Sequence, residues 1–245
     1  MPGVAFESCA LSHIGHVREI NEDAYICRDD AGIWAVADGL GGHEAGELAS
    51  RAVVSALEHI IESESLEAQI SAVKDALKQV NRDLRGPDPG LASARTPGST
   101  VAVLLVRSHQ QTGDCAVAWA GDSRIYRLRD GRARLLTRDH SHVQLLLDEG
   151  LIEPQEADAH PMAHAITRAI GISGDIDIET AQSDSRPGDR FVLCSDGLSR
   201  LLSDDEIGSI GGCGTAKEAT SALLAEALKR GAPDNVTVIC VDRLE

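Results

Sequence analysis

The segment from Ile33 to Glu47 constrains the fold more than any other part of the sequence. It begins as an apolar run, continues through Asp-Gly and a glycine-rich turn, and ends in the start of a predicted helix. Ile33 to Ala37 is short and partly β-branched, which is typical of a buried strand. Asp38 and Gly39 are expected to end this strand, and the glycines that follow allow sharp turns and close approach of a ligand. The carboxylate of Asp38 is therefore either a turn former or a metal ligand.

Aspartates recur beside the ends of other apolar runs. Asp196 and Asp122 each follow such a run, and Asp234 comes shortly before another. Carboxylates gathered at sheet edges repel one another in a poorly solvated cleft unless cations lie between them. Oxygen ligands of this kind favour Mg²⁺ or Mn²⁺ over zinc.

Length and charge narrow the class of protein. The 245 residues, 42% of them hydrophobic, are enough for one large domain with a substantial core. The net charge of −16 argues against nucleic acid or an anionic membrane as the main partner. A phosphorylated substrate would need local cations to bind such a chain. Aromatic residues make up only 2%, which disfavours a base-stacking surface.

The sequence has no run of the roughly 18 apolar residues that a membrane-spanning helix requires, and its start does not resemble a signal peptide. We therefore expect a cytoplasmic protein with reduced, buried thiols. Five of the six cysteines lie in apolar, strand-like runs: Cys9, Cys27, Cys115, Cys194 and Cys240.

Hydrophobic periodicity predicts many strands and few helices. Helices are predicted over 44–62, 66–85, 143–149, 204–210 and 216–230. Strands are predicted over 4–10, 23–27, 33–37, 101–106, 115–120, 123–128, 132–136, 179–183, 191–195 and 235–241. The short turns at 121–122 and 130–131 predict a three-stranded antiparallel meander. Because strands and helices do not alternate regularly, a doubly wound parallel sheet is not expected.

Two irregular segments have more than one interpretation. The segment from Arg18 to Asp23 is either a solvated polar loop or a phosphate-binding arginine beside carboxylates. The segment 137–171, called the flap below, is rich in histidine and proline. Its histidines match no structural zinc pattern, and a surface excursion over a site is the better interpretation.

The ordered set of motifs resembles the metal-dependent Ser/Thr protein phosphatases of the protein phosphatase 2C type, in their bacterial form. These motifs are REINEDA, VADGLGGHEAGE, PGST, WAGDSRIYRLRDG, LTRDHS, ITRAIG, CSDGLS and PDNVTVI. The resemblance covers nearly the whole chain. It implies an α+β fold, a four-layer α-β-β-α sandwich of two central antiparallel sheets flanked by helices. Residues 1–245 would form a single catalytic domain, with 137–171 as its flap.

The resemblance also implies a role for each site residue. Two core Mn²⁺ or Mg²⁺ ions would be held by Asp38, which bridges them, the carbonyl of Gly39, Asp196 and Asp234. Asp122, with Asp196, matches the place of a third ion. Glu22 and Asp23 would hold metal-bound waters, and Arg18 would bind the substrate phosphate, for which its planar fork is suited.

Two departures from the family pattern affect this assignment. The candidate general acid for the leaving alkoxide is His43. It departs from the family pattern because it follows a two-glycine insertion relative to the eukaryotic form. Met162, Ala163 and His164 replace residues that are often Arg and Asn in the family. These three are expected to change substrate choice and not the metal ligands.

The expected function is hydrolysis of phosphoserine and phosphothreonine in proteins by a metal-activated water, opposing a bacterial Ser/Thr kinase. The partners are then phosphorylated proteins and a cognate kinase, and the chain is expected to be a monomer. Two alternatives are a catalytically inactive phosphoprotein-binding module and a hydrolase of small phosphoesters. A cysteine mechanism is not needed, because Cys194 has no evident basic neighbour in the sequence.

Overall fold

The computed structural model describes residues 6–42, 44–61, 63–86, 97–107, 113–157, 159–172 and 174–244. The strands in these ranges are β1 (Phe6–His13), β2 (Asp23–Arg28), β3 (Ile33–Leu40), β4 (Gly98–Ser99), β5 (Val101–Arg107), β6 (Gly113–Ala120), β7 (Arg124–Arg129), β8 (Arg132–Leu135), β9 (Glu179–Ser185), β10 (Arg190–Cys194) and β11 (Val236–Arg243). The α-helices are α1 (Glu44–Glu58), α2 (Leu66–Arg85), α3 (His142–Asp148), α4 (Asp196–Ser199), α5 (Asp204–Gly211) and α6 (Ala216–Lys229).

The strands form two antiparallel sheets. Sheet 1 has the order β1-β11-β10-β7-β8, and sheet 2 has the order β2-β3-β5-β6-β9, with β4 paired to the end of β3. Helices α1 and α2 pack on the outer face of sheet 2. Helices α4, α5 and α6 pack on the outer face of sheet 1. The expected four-layer α-β-β-α sandwich is confirmed.

Alternation of side chains along β3 explains how the layers are held together. Ile33 and Ala35 point into the cluster shared with α1 and α2, whereas Trp34 and Val36 point into the cluster between the sheets. Both faces of this strand are covered, so its sequence is apolar at successive positions and not only at alternate ones. Trp34 is fully buried, and it fills the space between the sheets together with residues such as Phe191 of sheet 1.

The helix ends follow the capping rules. Thr215 accepts a hydrogen bond from the Glu218 N–H, and the Glu218 side chain accepts one from the Thr215 N–H in return. Ser203 and Glu206 form the same capping box at the start of α5. Each box satisfies backbone N–H groups that the helix leaves without an internal partner. The residues that start α5 and α6 are therefore set by the local sequence.

The predicted meander is wrong at its first turn. Strands β6 and β7 do not pair, because β6 lies in sheet 2 and β7 lies in sheet 1. The turn at Gly121 and Asp122 therefore carries the chain from one sheet to the other, with Gly121 at φ +113°. Both strands are buried on both faces, and their sequence pattern does not distinguish a hairpin from a connection between sheets. The second turn does form the expected β7–β8 hairpin.

Other elements also depart from their predicted bounds. Strand β3 continues through Gly39 to Leu40, because these residues pair with β4, so Asp38 lies inside the strand and does not end it. Asp196 begins the short helix α4, which is not among the predicted helices, one residue after the end of β10. Helix α1 ends at Glu58 and not at position 62.

Within the described ranges, no helix combines the length and hydropathy needed to cross a membrane. The five cysteines predicted in strands all lie in strands, namely in β1, β2, β6, β10 and β11.

Candidate metal centre

Asp38 and Asp23 face each other at one end of the sandwich. They are paired in register on the antiparallel strands β3 and β2. The Asp38 N–H donates to Thr100 Oγ1 over 3.1 Å, and the Asp38 carbonyl accepts from the Thr100 N–H over 2.8 Å. This backbone is therefore fixed on both sides of the side chain. At Gly39 a Cβ atom would lie 2.3 Å from the Gly46 carbonyl oxygen, so only glycine fits there.

Asp23 has one satisfied and one unsatisfied carboxylate oxygen. Its Oδ2 accepts hydrogen bonds from Ser195 Oγ at 2.8 Å and from Thr237 Oγ1 at 2.7 Å. Its Oδ1 is buried and has no hydrogen-bond partner among the described residues. Burial raises the pKa of Asp23 to about 6, and the two hydroxyl hydrogen bonds act in the opposite direction. The unsatisfied oxygen indicates a group other than the protein as its partner.

Asp196 and Asp234 lie beside the ends of β10 and β11, which are adjacent strands of sheet 1. Asp196 starts α4 after β10, and Asp234 lies two residues before β11. The two segments approach closely, because a Cβ atom on Gly197 would lie 1.9 Å from the Asn235 carbonyl oxygen. Asp196 Oδ1 is buried without a hydrogen-bond partner in the described part of the chain, whereas Asp196 Oδ2 pairs with Arg200.

The aspartates from both sheets influence one another's charge. Burial raises the pKa of Asp38 well above its usual range, and four neighbouring carboxylates raise it further: Asp23, Asp196, Asp122 and Asp234. Burial also raises the pKa of Asp196 to about 6, against the lowering effect of Arg200. A carboxylate cluster of this kind is stabilised by a cation that binds among its oxygens.

Asp122 lies beside this cluster on the turn that joins the two sheets. His140 holds that turn in place. Its ring Nδ1 accepts a hydrogen bond from the Gly121 N–H at 3.1 Å, and its backbone N–H donates to the Gly121 carbonyl at 2.9 Å. Burial raises the pKa of Asp122 to about 7, with repulsion from Asp196 as the next cause. Asp122 thus belongs to the same electrostatic cluster.

The segment that carries Arg18 is held at the same end of the molecule by Asn235. The Asn235 side chain accepts from the Glu22 N–H at 2.8 Å and donates to the carbonyls of Ile14 and Ile20. The Arg18 side chain is half exposed, and its Nη2 lies 2.7 Å from Asp234 Oδ2. Segment 14–22 is therefore tied to the start of β11, and Arg18 is a cation at the mouth of the carboxylate cluster. The solvated-loop interpretation of this segment does not account for these contacts.

Glu22 is buried between α1 and the strand that carries Asp38. Its carbonyl accepts from Ser50 Oγ at 2.5 Å and from the Gly39 N–H at 3.1 Å. A Cβ atom on Gly46 would lie 2.2 Å from Glu22 Oε1, so the absence of a side chain at Gly46 makes room for this carboxylate.

The donor set fits a hard divalent cation. All the candidate side-chain ligands are carboxylates, which Mg²⁺ and Mn²⁺ prefer. Asp23 Oδ1 and Asp196 Oδ1 are buried oxygens without a hydrogen-bond partner in the described residues.

As the side chains stand, no three carboxylate, histidine or cysteine groups in the described ranges converge closely enough to hold an ion directly. Instead, Arg18 and Arg200 lie against Asp234 and Asp196. His43 lies outside the described residues.

The flap borders the cluster on the side of Asp122. A cavity of about 480 Å³ lies between flap residues, including Val143 and His164, and the segment from Ser199 to Ser203. Asp122 and Asp196 lie at its wall, so the cavity is continuous with the cluster. Of the three residues that depart from the family pattern, Ala163 and His164 line the cavity, and Met162 is exposed.

Cys194 does not compete with this cluster for a catalytic role. It is fully buried in β10, and burial raises the pKa of its thiol to about 12. The thiolate that a cysteine nucleophile requires is therefore disfavoured.

Several residues of the centre were not identified from the sequence. Ser195 and Thr237 orient Asp23, Asn235 fixes the Arg18 segment, and Arg200 contacts two of the aspartates. Ser195 and Asn235 are adjacent in the sequence to predicted ligands, and that adjacency was an available signal. Thr237 carries no such signal, because the packing of the two sheets brings it to Asp23. Arg200 lies four residues after Asp196, and this spacing becomes a contact only because α4 forms there.

Comparison with known proteins identifies relatives of this chain. A family model described as protein phosphatase 2C matches residues 11–235. The Ser/Thr protein phosphatase PstP of Mycobacterium tuberculosis is 36% identical over 243 residues, which cover 95% of this chain but only 44% of that protein. The chain therefore spans less than half the length of this relative. The Ser/Thr phosphatase stp of Listeria monocytogenes is 30% identical over 94% of this chain and 92% of its own length.

Several solved structures are also similar to this chain. The structure of PppA from Pseudomonas aeruginosa has a TM-score of 0.87 and 38% identity, and covers 98% of both chains. The catalytic domain of PstP, solved in complex with two manganese ions, has a TM-score of 0.83 and 34% identity, and covers 98% of this chain and 99% of that domain. Since the family model matches most of the chain and these relatives align along nearly all of it, this chain belongs to the protein phosphatase 2C family.

Proposed function

We propose that this chain is a metal-dependent phosphatase that hydrolyses phosphoserine and phosphothreonine in proteins. The observation that carries the proposal is that Asp38, Asp196 and Asp234, from both sheets, lie near enough at one end of the sandwich to influence one another's charge, with Arg18 beside them. Support also comes from the named activity of the relatives, which are Ser/Thr protein phosphatases.

The proposed cofactor is a pair of Mn²⁺ or Mg²⁺ ions. The proposed ligands are Asp38, the carbonyl of Gly39, Asp196 and Asp234, and the two manganese ions in the PstP structure support this choice. When bound, such ions lower the pKa of water and so supply a nucleophile near neutral pH. Glu22 and Asp23 would orient water, and Asp23 is suited to this because its Oδ1 is held in place by the hydroxyl contacts to its Oδ2.

Arg18 is the proposed binding group for the substrate phosphate. A guanidinium contacts two phosphate oxygens through two parallel N–H groups, and the Arg18 side chain is 49% exposed at the edge of the cluster. In a chain with a net charge of −16, this local cation would help to offset repulsion of the anionic substrate. His43 is retained as the proposed general acid, and Asp122 with Asp196 as a third position for a positive charge beside the two core ions.

The proposed substrates are phosphorylated proteins, and the reaction that must supply them is Ser/Thr phosphorylation by a kinase. We propose that the chain acts as a monomer, because the residues assigned to the centre all belong to one chain.

A panel of phosphoserine and phosphothreonine peptides, p-nitrophenyl phosphate and nucleotides tests the proposal. Each substrate is assayed with Mn²⁺, with Mg²⁺ and with excess chelator. We expect phosphopeptide turnover only with added metal, and no loss of activity after thiol alkylation. Full activity in chelator would contradict the proposal, metal-dependent turnover of nucleotides alone would favour the small-phosphoester hydrolase, and phosphopeptide binding without turnover would favour the inactive binding module.

A further inference from the structure

Arg200 places its guanidinium between two of the site carboxylates. Its Nη2 pairs with Asp196 Oδ2 and lies 3.4 Å from Asp122 Oδ2. The two aspartate side chains are only about a tenth exposed, at 11% and 10%, and the Arg200 side chain is 33% exposed. The same nitrogen therefore contacts both carboxylates that were expected to share a third metal ion.

The backbone brings Arg200 to this position. Arg200 is the C-cap residue of α4, and its N–H donates to the Asp196 carbonyl at 2.9 Å. Residues four apart on a helical turn lie on the same face, so the Arg200 side chain folds back over Asp196. The turn itself is fixed by the close approach of Gly197 to the Asn235 carbonyl.

Within Asp196, Arg200 and the core cation site use different oxygens. Oδ2 pairs with Arg200, whereas Oδ1 is buried and has no hydrogen-bond partner in the described residues. Arg200 therefore leaves Oδ1 available to a core ion. The position between Asp122 and Asp196 is different, because a Mg²⁺ ion shared there would lie about 2.1 Å from an oxygen of each. The guanidinium already occupies that space.

The charge of Arg200 suits it to this place. A guanidinium remains protonated at all physiological pH values and is held by its stem, so it neither dissociates nor depends on metal concentration. Arg200 also opposes the rise that burial causes in the pKa of Asp196 and of Asp122. It thus acts on both carboxylates in the direction in which a bound cation would act.

We propose that Arg200 is a positioning residue that serves as a tethered cation between Asp122 and Asp196, so that this chain binds two divalent ions and excludes a third from that place. The inference rests on the proposed function, because it presumes the two core ions. It assigns Asp122 to an ion pair with Arg200 in the wild-type chain, and to metal only when the arginine is removed.

The test counts bound Mn²⁺ by equilibrium dialysis and metal analysis, from micromolar to millimolar free metal, without any assay of activity. We expect two ions in the wild type and three in Arg200→Gln. The third ion should disappear in the double variant Arg200→Gln/Asp122→Ala, and Arg200→Lys should keep the count at two because it retains the charge. The affinity for Mn²⁺ at the position between Asp122 and Asp196 should rise at least about tenfold when the arginine is removed. The matched control is Arg132→Gln, an exposed arginine at the opposite end of the β7–β8 hairpin from Arg124.

The outcomes separate this inference from the proposed function. Three ions in the wild type, or two in an Arg200→Gln variant with an unchanged circular dichroism spectrum, would overturn the inference and leave the phosphatase proposal standing. No bound Mn²⁺ in the wild type would overturn both.

Discussion

At the residue scale, the two oxygens of one carboxylate have different partners. In Asp23 and in Asp196, Oδ2 has a protein partner and Oδ1 is buried without one in the described part of the chain. A buried carboxylate oxygen without a hydrogen bond is costly. The folded chain therefore holds these oxygens ready for a group of opposite charge, and orients them before that group binds.

Asp196→Asn should reduce turnover by about a thousandfold or more, because it removes an anionic ligand and leaves the volume unchanged. Bound Mn²⁺ should fall in the same variant, and metal analysis beside a phosphopeptide assay measures both quantities. The control is Asp205→Asn, an exposed aspartate in the first turn of α5. Equal activity in the two variants would remove Asp196 from the centre.

Arg18→Ala should act mainly on binding. The side chain is half exposed and contacts Asp234 at 2.7 Å, so its loss removes a phosphate contact and leaves the carboxylates in place. We expect KM for p-nitrophenyl phosphate to rise about tenfold with a smaller change in kcat, because the contact is present in both ground and transition states. Arg18→Lys should recover part of the loss. Unchanged kinetic constants in Arg18→Ala would support the solvated-loop interpretation of segment 18–23.

At the element scale, the connections between elements position the site more than the elements themselves do. The turn between β6 and β7 crosses from one sheet to the other and carries Asp122, and His140 of the flap holds it through Gly121. The His140 ring also stacks on Trp119 with a centroid distance of 5.9 Å, and its Nε2 lies 2.8 Å from Glu179 Oε2. The start of the flap is thereby tied to both β6 and β9.

His140 should make the stability of this region depend on pH. Burial lowers the pKa of His140 below its ordinary value of 6.5, against the raising effect of Glu179. As pH falls, His140 therefore takes up a proton in the unfolded chain before it does so in the folded chain. Its contribution to the free energy of unfolding is full above the pKa of His140 in the unfolded chain, and it is lost as pH falls through the pKa of His140 in the folded chain. Protonation also removes the lone pair of Nδ1 that accepts from Gly121.

The measurement is the melting temperature in chelator from about pH 7.5 down to about pH 5, a range that brackets the ordinary histidine pKa. The wild type should lose more stability over this range than His140→Gln, whose amide oxygen accepts the same hydrogen bond without titrating. Parallel curves for the two proteins would show that other groups cause the pH dependence.

Exchanging Met162, Ala163 and His164 for Arg, Arg and Asn should change preference among phosphopeptides. Two of these residues line the cavity beside the cluster, where peptide residues next to the phosphate would lie. Hydrolysis of p-nitrophenyl phosphate should stay nearly constant, because that substrate has no such residues. Equal effects on both substrates would contradict this division of roles.

At the scale of the whole molecule, stability and activity draw on different parts of the structure. Three apolar clusters hold the four layers together, one between the sheets and one on the outer face of each. The aspartates lie at one end of this sandwich, and none of them contributes to the clusters. Loss of metal should therefore affect the site and not the core.

Excess chelator should abolish phosphopeptide turnover and leave the far-ultraviolet circular dichroism spectrum unchanged. The melting temperature at neutral pH should fall on chelation, because a ligand that binds only the folded state stabilises it by an amount that grows with the logarithm of ligand concentration over Kd. Readdition of Mn²⁺ should restore both activity and melting temperature. Unfolding on chelation alone would show that the metal is structural.

Much of this protein was determined by local sequence. Helix α2 has the predicted bounds, because its apolar stripe and its cap at Ser65 are contained in the sequence of the segment itself. The strands that carry or flank Asp38, Asp196 and Asp234 follow from runs of apolar residues. The ordered motifs were sufficient to indicate the family, because their spacing is itself a sequence property.

Only the tertiary structure decided which strands pair and which charges meet. Strands β6 and β7 are separated by three residues yet lie in different sheets, and Arg200 lies 78 positions from Asp122 yet contacts it. Local periodicity reports which faces of a segment are buried, but it does not specify the segment that covers each face. The aspartates were therefore predictable one at a time, whereas their approach to one another and the contact of Arg200 with Asp122 depend on how the two sheets pack.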